Sequence, residues 1–578
     1  MHLPVPTLLP AAMLLLVLAP EARAQQEQRY YVRPRSIADL NHGILLQTVT
    51  TVSTRVVKEI NKPKFRFNAV AVEMTTAQQQ SLADNNPGLL VIPDAPLARS
   101  GHFGGPGSNW AINSLTASGF PNGEDCCGQR PVVYLVDTGI RQTHSEFSAT
   151  TFLPGMTEGW NYNLSVPTPP DQDLYDHGTR MAGCIAGAST GLLPKLGVSA
   201  YLKSIQAYDF PAPLATTFAS TAIAALLDAA SDHEIRKSTG YVKDHASIVL
   251  FAQSTLPSSG RFGDVDRAIE EVWNSGLTVV VSAGNYSVLA ADVSPAGAAI
   301  GYLPPNAPAP PPTIIVDPGH YWFGPKPPGT NYVRWLPHFI VAGAHDWDFL
   351  LWASTDVNNP AVDPVDVFGP GAGIRCATNA ADVSFGSGDG TSYGAAYAAA
   401  TAAFLGYHKP WLTPNEIRTA LIAARISSGP NWSRLAIPAT LPDIGMTFAD
   451  WAAHYGLADP DAAASADSDA DLLPNLLEYF CGLSPRENNW ANAPSITPNA
   501  AASRLDIRLP VACYLPTSVS LILQKSSDLI TWMPLPMTTF AVENPCHAVG
   551  DGRYFSGTAP FTPVSGGREF YRLKVTAP

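Results

Sequence analysis

Residues 131 to about 436 predict an α/β domain built on a parallel sheet with helices covering both faces. Short uninterrupted apolar runs recur at 132–136, 248–251, 278–281 and 339–342, as expected of strands buried on both sides. Between them lie Ala-rich stretches of helical length, 221–230 and 394–405 among them. Alternation of the two is what a sheet with crossover connections requires.

The remaining chain divides around this block. At 578 residues several domains are expected. The run 8–19 is apolar except for Pro10 and is followed by Glu21-Ala22-Arg23-Ala24, so residues 1–24 read as a cleavable secretory signal. No later stretch reaches the roughly 20 apolar residues that span a bilayer, so no transmembrane segment is expected. Residues 25–100 form a small α+β unit: a strand over 67–73, a short helix over 76–83, then the turn Asn85-Asn86-Pro87-Gly88 leading into a strand over 89–92. Residues 99–109 have turn and linker composition, placing a boundary near 98–108 and a catalytic-size domain over 101–440. Within that domain 301–337 is a Pro-rich insertion without a core of its own. A helical, acidic linker over 441–485 precedes a β-sandwich-like domain over 486–578, with strands near 503–512, 518–525 and 568–575.

A formal net charge of −13 argues against a nucleic-acid binder, because the phosphate backbone would repel it. Apolar residues make up 46%, enough for large cores, while charged residues reach only 14% and leave a weakly charged surface. Seven cysteines fit an oxidising compartment. A bridge between the adjacent Cys126 and Cys127 would be strained. Cys513 and Cys546 share a domain and are candidates for a bridge. Cys184, Cys376 and Cys481 have no evident partner in the sequence, and the pairing stays open.

Four positions carry chemistry. The strand ending Val136-Asp137-Thr138-Gly139 delivers a carboxylate to the end of a sheet where α/β folds place their ligands. Asp176-His177-Gly178-Thr179 opens a helix with an imidazole, and the small residues after it permit close packing on a sheet. Gly390-Thr391-Ser392 sets a hydroxyl at the N-terminus of the Ala-rich helix, where the dipole favours developing negative charge. Ser282-Ala283-Gly284-Asn285 ends a strand in a side-chain amide suited to an oxyanion. Taken singly these are a turn Asp, a structural His, an N-cap Ser and a turn Asn. The order Asp, His, Ser within one α/β domain is that of subtilisin.

These boxes resemble those of the subtilisin-like serine peptidases, and Trp110-Ala111-Ile112, Ser294-Pro295-Ala296 and the segment 365–371 look most like the proteinase K branch. The resemblance implies a subtilisin-like fold and a serine endopeptidase acting on protein or peptide substrates without a catalytic cofactor. Ser392 would be the nucleophile, His177 the general base and acid, Asp137 the group that fixes the imidazole, and Asn285 an oxyanion donor. Ala252, Gln253 and Ser254 would form the substrate-binding edge. Residues 25–100 would be a ferredoxin-like inhibitory propeptide, an intramolecular partner of a self-processing, secreted zymogen. The sequence departs from the family where Tyr393-Gly394-Ala395-Ala396 follows the serine, where Arg180 follows the His box, and where Ser254 adds a Cβ to the substrate edge. Those departures motivate an alternative, a catalytically silent binding or scaffold protein on the same fold. A further rival, an aspartic peptidase using Asp137-Thr138-Gly139, would need a second such chain.

The stretch 467–478 places Asp467, Asp469, Asp471, Asn475 and Glu478 at loop positions 1, 3, 5, 9 and 12, the oxygen-ligand spacing of a calcium loop. Leu472 stands at position 6, where glycine supplies a positive φ. The other reading is an acidic helix N-terminus capped by Asp471, with Pro474 in the first turn. Both stay open.

Overall fold

The computed structural model describes residues 27–35, 41–99, 102–103, 110–116, 130–154, 172–173, 175–207, 217–238, 246–259, 262–296, 300–303, 331–334, 339–358, 364–429, 431–438, 447–486, 488, 490, 493–511, 520–536, 541–542, 553–561 and 568–576. The signal segment, most of the Pro-rich insertion, and Cys126, Cys127, Cys513 and Cys546 lie outside the described residues. The insertion's flanks, Ile300–Leu303 and Asn331–Arg334, pair as an antiparallel ribbon.

The chain divides into two units, residues 1–95 and 96–578. In the first, β1 (Gln28–Pro34), α1 (His42–Thr50), β2 (Arg55–Lys62), β3 (Phe67–Met74), α2 (Thr76–Asn85) and β4 (Leu89–Pro93) follow one another. The antiparallel sheet has the order β2-β3-β1-β4, the split βαβ arrangement of a ferredoxin-like fold. Helix α2 starts where Thr75 accepts from the Gln78 N–H while Gln78 reaches back to the Thr75 N–H, a capping box. Tyr30, Val32, Val70, Val72 and Leu45 close the core.

In the second unit the central sheet has nine strands among the described residues. Its inner members, β7 (Val132–Asp137), β9 (Tyr201–Gln206), β11 (Ile248–Phe251), β13 (Thr278–Ser282), β16 (Ile340–His345) and β17 (Val367–Pro370), run parallel in the order β17-β16-β13-β11-β7-β9. Alternation assigns the two faces. Val133, Leu135, Ile248, Leu250, Val280, Ile340 and Ala342 join one core with α4 (His177–Ala186) and α8 (Thr391–His408). The intervening residues are equally buried, and one of them, Tyr134, donates to Asp232 on α6 (Ala219–Ser238) at 3.0 Å. Helices therefore cover both faces, as the unbroken apolar runs predict.

Helix α8 lies close to the sheet because its inward positions are small. A Cβ on Gly394 would stand 2.2 Å from the Gly343 carbonyl oxygen, so that position excludes any larger residue. Tyr393, the aromatic beside Ser392, is buried with its hydroxyl 4.0 Å from Cys376 Sγ.

Two boundaries differ from those expected. Residues 96–99 fall with the second unit rather than the first, because β5 (Pro96–Arg99) pairs antiparallel with β10 (Thr217–Phe218) on one side and β12 (Gln253–Thr255) on the other. The acidic segment beyond 441 is packed rather than slack. Trp451 and Tyr479 belong to the core beneath α8, while Phe480 and Cys481 join the core of the C-terminal strands. There, Ser495–Asn499, Arg504–Val511, Arg553–Pro560 and Ala541–Val542 form one antiparallel sheet, and Met533–Pro534, Ser520–Ser526 and Phe570–Thr576 another. Leu505, Ile507, Leu509 and Ala559 meet Leu523 between them.

Candidate active site

Asp137 ends β7 and His177 begins α4, so the sheet's carboxyl edge and a helix N-terminus meet. His177 Nδ1 lies 2.8 and 2.9 Å from the two carboxylate oxygens of Asp137, which also accepts the Thr138 N–H at 2.7 Å. Both side chains are nearly closed to solvent, at 1% and 2% exposure. His177 Nε2 is buried without a hydrogen-bond partner among the described residues. A carboxylate on Nδ1 fixes the tautomer that leaves Nε2 as the acceptor.

A second carboxylate holds this pair in register. Asp173 accepts from Thr138 Oγ1 (2.6 Å), the Tyr175 and Asp176 N–H groups (2.9 Å each), and the Thr179 N–H and Oγ1 (2.9 and 2.7 Å). Thr138 Oγ1 in turn accepts the Gly178 N–H at 2.8 Å. A Cβ on Gly178 would stand 2.1 Å from the Gly139 carbonyl oxygen, so the two segments touch backbone to backbone. Sequence reasoning missed Asp173. Its signal was position alone, four residues before the histidine.

Ser392 sits at the start of α8, fully buried, and its Oγ donates to the Ala252 carbonyl at 3.2 Å. Asn285 follows β13 at the turn made by Gly284 (φ +115°). Its Oδ1 accepts from the Thr391 N–H at 3.0 Å and from Thr391 Oγ1 at 2.9 Å, which locks the amide orientation beside the serine. Nδ2 is left buried and without a partner among the described residues. Native proteins rarely strand a buried amide donor, and one locked beside Ser392 has the chemistry of an oxyanion donor.

Of the expected substrate edge, Gln253 and Ser254 lie in β12, with Ala252 just before it. Ser254 stands opposite Ala98 and Gln253 opposite Arg99. The added Cβ of Ser254 therefore admits a neighbouring strand. Beyond it, β6 (His102–Phe103) pairs with the end of β19 (Phe385–Asp389), placing His102 opposite Asp389.

The subtilase family profile matches residues 128–442, more than half of the chain. The chain belongs to the subtilase family. This subtilase is 29% identical over 175 residues to the cuticle-degrading serine protease of Arthrobotrys oligospora, a match covering 30% of this chain and 37% of that protein. It is 24% identical over 248 residues to subtilisin-like protease 2 of Trichophyton tonsurans, covering 40% and 50%. The matches thus span between about a third and half of the length of those relatives. A solved structure of a cold adapted subtilisin-like serine proteinase aligns with 58% of this chain and 99% of its own, at 17% identity and a TM-score of 0.40.

In the acidic segment, carboxylate oxygens of Asp467, Asp469 and Asp471 lie within 4.8 Å of one another. Leu472 adopts φ +77° with its side chain in solvent, so a leucine takes the backbone conformation for which glycine was expected. Glu478 is fully buried on α11 (Asn475–Cys481). The Asn475 amide is committed elsewhere, donating to the Asp461 and Ala463 carbonyls and accepting from Ser468. That removes it from direct ligation. Asp471 does not cap α11, whose N-cap position is Pro474.

Beneath the oxyanion turn, Asp356 Oδ1 accepts the Tyr286 and Val288 N–H groups at 2.7 and 3.1 Å. Its buried Oδ2 abuts Gly284, where a Cβ would stand 2.1 Å away. Burial pushes this carboxyl from 3.8 up to about 6, against the pull of those backbone N–H groups. An acid with a raised folded pKa holds its proton more tightly in the fold. Its contribution to stability is therefore present at low pH and lost as pH rises from about 4 to about 6. Asp356→Asn keeps an acceptor for the two N–H groups and cannot titrate. Relative to wild type, the variant should gain on the order of 2 kcal/mol between pH 4 and pH 7 in urea unfolding. A difference that stays flat across that window would mean the carboxyl does not titrate there.

Proposed function

We propose that this subtilase is a secreted serine endopeptidase working through an acyl-enzyme, made as a zymogen that processes itself. The observation that carries the reading is the Asp137–His177 pair, which leaves Nε2 buried and bare, on the same α/β domain that sets Ser392 in the first turn of α8 beside the Asn285 amide locked by Thr391. In the reaction Nε2 takes the Ser392 proton as Oγ attacks the peptide carbonyl, and Asp137 stabilises the resulting imidazolium. The carbonyl oxygen, now negative, is received by Asn285 Nδ2 and the Ser392 N–H. Protonated His177 then hands its proton to the departing amine, and water repeats the sequence to release the acyl group.

Ser392 Oγ is held by the Ala252 carbonyl. The strand 96–99 pairs with β12 up to Arg99 opposite Gln253, one residue from Ala252. A bound strand whose N–H takes that carbonyl would release the hydroxyl toward Nε2.

A serine-directed fluorophosphonate probe separates this reading from a silent scaffold. Processed wild type should label and Ser392→Ala should not, while Asn285→Ala should keep labelling with kcat lowered about 10²–10³-fold. Unlabelled wild type of mature length would favour the scaffold.

Support for self-processing comes from the chain's own path. Residues 96–99 lie as a strand against the substrate edge, and 102–103 lie against β19, three residues before the nucleophile. Residues 100 and 101 fall outside the described residues, and the peptide bonds between Arg99 and His102 are the ones these two anchors bracket. Wild type should accumulate as a species beginning near residue 100 while Ser392→Ala keeps its precursor length, as read by N-terminal sequencing. A Ser392→Ala chain trimmed at the same bond would assign the cut to another protease.

For the acidic loop we propose a structural calcium held by Asp467, Asp469, Asp471 and Glu478. Support comes from the clustered hard oxygen donors and the positive φ at the sixth position. Calcium should raise the Tm of full-length Ser392→Ala, and Asp469→Ala should abolish the rise. An unchanged Tm in wild-type loop sequence at millimolar calcium would discard the site.

A further inference from the structure

The departures from the family pattern around the catalytic helices meet at one place. Arg180, one turn into α4, directs its guanidinium at Cys376 Sγ (3.5 Å) and the Ser387 carbonyl (3.3 Å), and is tied to Asp176 through Nε at 2.7 Å. Tyr393, next to the nucleophile, brings its hydroxyl to the same sulfur. Cys184, one turn further along α4, is fully buried in the same core cluster as Cys376, and both are free thiols in this structure. The backbones come together at the neighbouring positions: a Cβ on Gly183 would lie 3.2 Å from the Ala377 nitrogen. Cys376 belongs to β18 (Ile374–Ala377), which pairs with β19, the strand that leads to Ser392.

We propose that Cys184 and Cys376 form a disulfide that staples the helix of the general base to the strand pair leading to the nucleophile. Both sulfurs are closed to solvent in the folded domain, so the exchange takes place late in folding, when Arg180, Cys184 and Cys376 have come together but are not yet closed off. The oxidant is a low-molecular-weight disulfide. The Cys376 thiolate attacks one of its sulfurs and expels one small thiolate. Cys184 then loses its proton and attacks the Cys376 sulfur of the mixed disulfide, expelling the second. One S–S bond is broken and one protein S–S bond is made. The two protons from the cysteines end on two small thiols.

The surroundings fit these roles. Burial alone would raise the Cys376 thiol, but the Cys184 hydrogen bond and the Arg180 charge outweigh it and bring it below its ordinary value. Burial pushes Cys184 up, and its hydrogen bond to Cys376 adds to this. Cys376 is accordingly the attacking sulfur and Cys184 the resolving one.

The staple rests on the reading that the chain is exported to an oxidising compartment, so the test supplies that compartment itself. Full-length Ser392→Ala, with residues 1–24 replaced by a proven bacterial export signal, is made in a periplasm supplied with oxidised glutathione. It is then alkylated in denaturant without reductant and digested with trypsin. Each sulfur falls in its own peptide, 181–195 and 376–418, with no other cysteine in either. The expected result is these two peptides joined, two hydrogens lighter than their sum. Both peptides alkylated, or either joined to a different cysteine, would overturn the proposal.

Melting curves give a second, independent measurement. Cys184→Ala and Cys376→Ala should each lower Tm by on the order of 5 °C, and the double variant should fall no further, since each single change breaks the same bond. Additive losses would mean two separate packing defects. Failure of the native leader to export the chain is read in its own assay and leaves these outcomes intact.

Discussion

The site depends on keeping a carboxylate buried beside an imidazole without letting either relax toward solvent. Asp137 is almost fully enclosed, and an enclosed charge is tolerated only when hydrogen bonds replace its water. Part of that replacement is direct, from the Thr138 N–H and the His177 ring. The rest is indirect and comes from Asp173, which ties the turn after β7 to the first turn of α4 through five donors. With that tie, the distance between a strand end and a helix start becomes a fixed quantity. The bare Gly178 face against Gly139 shows how little slack remains.

The same device recurs wherever a catalytic segment must be held. Asp356 clamps the turn that carries Asn285, and Thr391 locks the amide itself. Glu146 accepts four hydrogen bonds from Ser189 and Thr190, fixing the loop after α4. Burial would raise the Glu146 carboxyl, yet those bonds prevail and keep it below its ordinary value. Three buried acids outside the catalytic set thus do for loops what helix packing does for α8. Each uses backbone N–H groups that would otherwise be stranded.

The central sheet was legible because strands buried on both faces write continuous apolar runs, and 132–136, 248–251 and 278–281 do so without interruption. The four site residues were legible because glycine marks them: Gly139, Gly178, Gly284 and Gly390 each stand next to or near one of them in sequence. The clamping acids were not legible, since Asp173 and Asp356 look like any turn aspartate until topology brings their partners together. Nor was the packing of the acidic segment, because Trp451 and Tyr479 flank a run of Asp and Ala whose composition reads as solvent-facing. The fate of residues 96–99 was hidden for a different reason. Their short strand gains its meaning only from the two edges, 217–218 and 253–255, between which it lies.

Among the described residues, His177 Nε2 and Asn285 Nδ2 are two of the buried polar atoms without a hydrogen-bond partner, and others such as Asp356 Oδ2 and the Gln253 amide lie nearby or elsewhere in the fold. Each omission costs on the order of 1–3 kcal/mol, a large share of the margin by which a domain is stable. These two are the atoms that face a proton in transit and a developing oxyanion in the proposed reaction. Rotation that would satisfy either one is blocked. Asp137 fixes the ring through Nδ1, and Thr391 fixes the amide through Oδ1 with two donors. The interactions that hold the far side of each group are therefore what keep its near side empty. An unsatisfied near side is also the arrangement that binds a transition state more tightly than a ground state, because the missing partner arrives only as charge develops.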